Sequence, residues 1–256
     1  MTPKKTTDDC PAITAKELKQ LRRVFDELCF FADKAPKKER LKEIQNALVE
    51  IRRPDDGYSS HNQQDTTALV AKLEEEQKQL KQEVAKIEAR PEQYIRAQDT
   101  GIAMKWLGKR MTKREIHDLM WEVDEKIDGI IDWEEFSLMF ERNVRDTSGL
   151  EPANFYHMVQ FMIYDRDGNG KVSIDETMNM LYARLGRAKM ETTIAKLFGG
   201  EDGAPIVEVG QQGGEIDFER YWAVSENEQM KMFEASELGR NLAEKKKVRR
   251  SPTKNC

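Results

Sequence analysis

Residues 165–176 read Asp165-Arg166-Asp167-Gly168-Asn169-Gly170-Lys171-Val172-Ser173-Ile174-Asp175-Glu176. Oxygen-bearing side chains stand at the first, third, fifth, ninth and twelfth places, and glycine at the sixth. A hard divalent cation of calcium's size takes about six to eight oxygens at roughly 2.3–2.6 Å. The spacing builds that shell from one short loop. Asp165, Asp167 and Asn169 supply side-chain oxygens, and Gly170 allows the sharp turn. Lys171 offers its backbone carbonyl while its ammonium points outward. Ser173 acts at the ninth place through water, and Glu176 closes the shell with both carboxylate oxygens. Val172, apolar at the eighth place, suits a short β-ladder with a sister loop. Phe161 and Tyr164 before the loop, and Leu181 and Leu185 after it, mark two amphipathic helices. A plain polar turn also uses Asp, Asn and Gly, but it does not demand six constrained positions between such helices. With three acidic ligands, magnesium is expected to compete with calcium for the loop.

The surrounding chain repeats itself. Leu107-Gly108 recurs as Leu185-Gly186, and Asp124 and Asp202 each lie 16 residues beyond their glycine. Residues 124–135 keep Asp124, Asp128, Gly129, Asp132 and Glu135, but Lys126 holds the third place. An ammonium there removes a ligand and repels the ion, so this loop is expected to keep a packing role through Ile131 and Trp133. A further loop starts at Asp202 and ends on Arg220, where the closing glutamate belongs; that is 19 residues instead of 12. Ile216 is left as a ladder partner for Val172. Gly186 lies 21 residues past Asp165, and the same offset before Gly108 places a first loop near Ile87. The stretch from Ile87 to Tyr94 has no acids at ligand positions and no turning glycine.

This part of the chain, roughly 80–226, resembles the EF-hand superfamily, with phrasing similar to calmodulin and troponin C. Met111-Thr112-Lys113-Arg114-Glu115 through Phe140 has the cadence of a second hand, and Leu-Gly ends a first or third hand. The resemblance implies an all-α fold of four hands in two lobes, three of the hands degenerate. The N-lobe would span 66–145 and the C-lobe 146–230, with a helical or coiled-coil extension over 1–65 and a helix end and basic tail over 231–256. It implies calcium in the 165–176 loop, with affinity in the sensor range of ~10⁻⁷ to 10⁻⁵ M. A wider resemblance, to EF-hand proteins of cilia, flagella and other cytoskeletal assemblies, implies protein partners there and a place in the cytoplasm and cytoskeleton. The rival expectation is a diffusible, calmodulin-type sensor that captures target helices.

Outside that region the residues speak for themselves. Thr14-Ala15-Lys16-Glu17 is a capping box that opens a helix through Leu18, Leu21, Phe25, Leu28 and Ala32, with its break at Pro36. A second helix to Arg53 carries Leu41, Ile44, Leu48 and Ile51, and residues 54–65 read as a loop. From Thr66 to Arg90, Leu69, Leu73, Leu80, Val84 and Ile87 form a seam that fits a short coiled coil or an amphipathic helix packed on its neighbours. A third reading has the helix from Thr14 to Ala35 filling a lobe groove as an internal ligand. Asn143 to Gly149 reads as a linker, and Ser148 with Glu151 and Pro152 as the next helix cap. The run Lys245 to Arg250 suits anionic lipid, an acidic protein surface such as tubulin's or import receptors, and equally a solvated, disordered tail.

Composition narrows the function. The 256 residues are 35% charged and 38% hydrophobic with a net charge of −5, too mild for a nucleic-acid binder. No apolar run approaches the ~20 residues of a membrane span, and the first residues lead into no secretory signal. Three scattered cysteines and three lone histidines give neither a disulfide framework nor zinc spacing. Neither GxxxxGK[ST] nor GxGxxG occurs, and no catalytic set is expected.

Overall fold

The computed structural model describes residues 13–52, 63–199 and 214–242, with backbone alone at 63–65, 179–180 and 182–189. The described residues are mostly helical, as expected. The loop at 54–65, Asp202, the basic run, Cys10 and Cys256 lie wholly or mainly outside them, and so do the expectations placed on them.

Helix α1 (Ala15–Leu28) opens on the expected capping box, with Glu17 N donating to Thr14 Oγ1 and Thr14 N to the Glu17 carboxylate. Its break is not at Pro36. Phe30 takes a left-handed conformation (φ 53°), and α2 (Phe31–Ile51) starts directly after it with Pro36 inside. Tertiary packing decides this. Phe30 is buried edge-on against Tyr94 at 4.9 Å, with the guanidinium groups of Arg90 and Arg96 over its ring at 4.4 and 5.0 Å. Pro36 lies early in α2, where a missing donor costs one backbone bond.

Helix α3 (Gln63–Glu88) packs on α2 as a hairpin. Ion pairs Arg40–Glu76 (2.7 Å), Arg52–Glu74 (2.7 Å) and Lys37–Glu83 run along it in antiparallel order. Exposed pairs of this kind contribute about 0–1 kcal/mol each. The seam on α3 is only partly used: Val84 and Ile87 are buried near its end, and Leu69 is exposed. Residues 63–88 therefore form an amphipathic helix packed within the chain, without a buried coiled-coil stripe along its length.

α3 runs into β1 (Ile95–Arg96), α4 (Ala97–Trp106), α5 (Lys113–Trp121), β2 (Ile130–Ile131) and α6 (Trp133–Arg145). Strands β1 and β2 are antiparallel, Ile95 facing Ile131. Since Ile131 is the eighth residue of 124–135, the first loop occupies 88–99, one residue later than the repeat offset indicated. Gly108 ends α4 as expected, with φ +89° and Lys109 N donating to Met104 O.

The second half has α7 (Asn154–Tyr164), β3 (Lys171–Ser173), α8 (Ile174–Phe198), β4 (Glu215–Asp217) and α9 (Phe218–Ala235). Val172 faces Ile216 across the β3–β4 ladder, the pairing their spacing predicted. Two expectations fail. Ser148 and Glu151 do not cap α7, because Asp146 takes Ser148 N (2.7 Å) and Glu151 N (3.2 Å) into a turn of its own. Glu122, at the end of α5, receives Phe155 N (3.0 Å) and Asn154 Nδ2 (2.7 Å) at the start of α7. Leu185-Gly186 also breaks nothing, since α8 runs straight through it for 25 residues. After Gly108, Thr112 supplies a new cap with Glu115. After Gly186 come Arg187, Ala188, Lys189, Met190 and Glu191, strong helix formers with no capping residue among them.

The main core is one apolar cluster spanning both halves. α1 lies at its centre, packed on α4, α6 and α7, with Leu21, Val24, Phe25 and Leu28 fully buried.

Candidate metal centre

α7 ends on Tyr164, and Asp165 takes up the turn with its own N donating to Phe161 O at 2.8 Å. Phe161 packs on Phe218 and Tyr221 (5.1 and 5.4 Å between rings), which anchors the incoming helix to α9. Gly168 (φ +68°) and Gly170 (φ +81°) then bend the chain back toward the ladder. Both are left-handed positions that a side chain would strain.

The ligand-type residues come together as the sequence proposes. Asp165 Oδ1 and Oδ2 accept from Asn169 N (3.1 Å) and Gly170 N (2.9 Å). Asp167 accepts from Asn169 N and Asn169 Nδ2, both at 3.1 Å, and Asn169 Oδ1 accepts from Lys171 N at 2.7 Å. The Lys171 ammonium lies 3.4 Å from Glu215 on β4. Ser173 caps α8 and donates through Oγ to Glu176 Oε2 at 2.8 Å. Glu176 is drawn inward at both oxygens: Oε1 accepts from Arg166 N and Oε2 from Ser173 N, each at 3.0 Å. Asp165, Asp167 and Glu176 each present an oxygen within 4.8 Å of the others.

Electrostatics set these carboxylates apart. Burial pushes the Asp165 carboxyl up to about 6, although Gly170 and Asn169 amides work against the rise. Burial also acts upward on Glu176, but the Ser173 amide and hydroxyl and the Arg166 amide outweigh it and hold the carboxyl below its ordinary range. Three convergent carboxylates, one of them buried, repel one another without a cation between them. Hard oxygen donors on a loop with two turning glycines fit calcium.

The loop at 124–135 has the same main-chain path with a different interior. Asp124 accepts from Asp128 N (3.2 Å) and Gly129 N (2.9 Å), and Glu135 from Lys126 N (3.0 Å) and Asp132 N (3.1 Å). The Lys126 ammonium, about half exposed, bonds Asp132 at the loop's ninth place. The first loop holds an acid that the sequence reading passed over. Asp99, fully buried, is its twelfth residue and receives Arg96 N, Arg96 Nε and Ala32 N. Four residues beyond Ile95, it was hidden by the one-residue error in the offset.

A family model described as an EF-hand domain pair matches residues 102–143. The chain is 30% identical over 128 residues to the probable calcium-binding protein CML13 of Oryza sativa subsp. japonica, covering 50% of this chain and 68% of that one. It is 30% identical over 129 residues to the probable calcium-binding protein CML25 of Arabidopsis thaliana, across 62% of that protein. To the calcium-binding protein CML19 of Arabidopsis thaliana it is 27% identical over 145 residues, across 75% of it. Two short antiparallel ladders with apolar residues facing one another, a closing carboxylate turned into the 165–176 loop, and this span of likeness have one source: the chain belongs to the EF-hand superfamily.

Proposed function

We propose that the protein is a non-catalytic calcium-binding adaptor. Asp165, Asp167, Asn169, the Lys171 carbonyl, Ser173 and Glu176 hold one calcium ion, which stabilises or modulates docking to protein partners in a cytoskeletal or axonemal assembly. The observation that carries the adaptor reading is the position of α1. A calmodulin-type sensor offers the apolar faces of its hands to a partner's helix. Here Leu21, Val24, Phe25 and Leu28 of α1 are fully buried against α4, α6 and α7 while Leu18 stays exposed, so the chain's own helix already covers much of that surface. Arg23 adds a bond from Nη2 to Met162 O at 2.6 Å, three residues before the calcium loop. The cytoskeletal destination draws support from the charged α2–α3 hairpin and from the basic run Lys245 to Arg250, which suits an acidic surface. Among the described residues no helix is long and apolar enough to cross a membrane.

The test pairs sedimentation with purified microtubules and an apolar dye titration, each in chelator and in calcium. The adaptor pellets in both conditions, with calcium changing its retention, and dye fluorescence stays flat. A calcium-dependent rise in dye binding, with no pelleting in either condition, would establish the diffusible sensor instead.

A further inference from the structure

The first and second loops share a feature that no ligand pattern predicts. Ladder register numbers their positions. Ile95 faces Ile131 and Val172 faces Ile216, so the residue four further on closes each loop: Asp99, Glu135, Glu176 and Arg220. In the first loop Arg96 lays its guanidinium across Asp99, Nε to Oδ2 at 2.7 Å and Nη2 to Oδ1 at 3.0 Å, with Asp33 3.2 Å away. In the second loop the Lys126 ammonium bonds Asp132 and lies 3.7 Å from Glu134.

We infer that Arg96 and Lys126 are tethered cations that stand in for the divalent ion in the first and second loops. A bound ion holds such a loop by giving its converging oxygens a common positive partner. A basic side chain rooted in the same loop gives the oxygens it reaches, Asp99 for Arg96 and Asp132 for Lys126, such a partner at every calcium concentration. It also repels an arriving ion. The second loop shows the substitution most directly, because its amides bond Asp124 and Glu135 in the same pattern that the 165–176 loop uses around Asp165 and Glu176. The β1–β2 ladder is therefore assembled independently of calcium. The inference rests on the calcium reading of 165–176 only for its contrast.

Calorimetric titration of the full chain with calcium chloride, with amide exchange as second readout, tests it. The natural chain takes up one ion, and the Asp128 and Gly129 amides exchange at the same rate with and without calcium. Lys126→Asp raises the stoichiometry from one to two. Lys126→Asp combined with Glu176→Gln still binds one, which separates this result from the fate of the 165–176 site. Lys126→Gln speeds exchange at Asp128 and Gly129 about tenfold, and calcium does not slow it. Arg96→Met lowers the melting temperature of the first half, and Arg96→Lys restores part of the loss. The inference is overturned if the natural chain binds a second ion at 124–135, or if folded Lys126→Asp gains none. It is equally overturned if Lys126→Gln and Arg96→Met leave exchange and melting unchanged; should Lys126→Asp fail to fold, these two variants decide.

Discussion

Asp165 and Glu176 close the 165–176 loop from its two ends. Asp165 is buried at the end of α7, and Glu176 is turned inward from the first turn of α8. Glu176→Gln keeps the shape but loses the negative charge and one of two ligand oxygens, and Asp165→Ala removes the buried carboxylate. Each is expected to abolish the high-affinity calcium step in a titration. The Asp165 carboxyl, raised by burial to about 6, gives a pH signature. Without an ion the folded state holds this proton more tightly than the unfolded chain, whose carboxyl titrates near ~3.9. The group's stabilising contribution is thus complete below that value and is lost as pH rises through 6. Calcium needs the ionised form, so its affinity moves the other way. Apparent affinity is expected to be about tenfold weaker at pH 5 than at pH 7, measured by calcium titration at both.

At the scale of elements, two similar signals had opposite outcomes. Leu107-Gly108 ends a helix and Leu185-Gly186 does not, because only the first is followed by a capping residue. Gly108 sits in the left-handed region with open space around its Cβ position, so Gly108→Ala is expected to cost only the backbone term, about 1 kcal/mol, in chemical denaturation. The loop at 165–176 and the Val172–Ile216 pairing were legible from spacing alone, since a twelve-residue cage leaves the chain little choice. The start of α2 was not legible. The residue that turns the chain is a phenylalanine, and its preference comes from Tyr94, Arg90 and Arg96, about sixty residues away in sequence. Asp99 was missed for a similar reason: only strand register shows which residue closes the first loop.

Over the whole molecule, α1 joins the two halves. Phe25 lies 5.4 Å from Trp133 and 5.2 Å from Phe136, while α1 also packs on α7. Phe25→Ala leaves a cavity at this junction and is expected to cost about 3–5 kcal/mol, with both halves melting earlier in calorimetry. His157 gives a second pH test. Burial lowers its pKa to about 4, so the folded state excludes the charged imidazolium. Stability from this group is intact above ~6.5, the unfolded value, and is lost as pH falls toward 4, by up to about 3 kcal/mol. His157→Gln is expected to flatten that part of the acid denaturation profile. Calcium at a hundredfold excess over its dissociation constant should add about 2.7 kcal/mol to unfolding, an increment that Glu176→Gln removes.

By itself, the order of residues determined the oxygen cage at 165–176, the helices on either side of it and the apolar residue that pairs it with a sister, because ligand count, turn geometry and helical period are local constraints. Only the tertiary structure decided which side chains occupy the other loops, where the first two helices part, and that α1 covers the junction between the halves. Those outcomes depend on contacts between residues far apart in the chain, whose energies no local pattern carries.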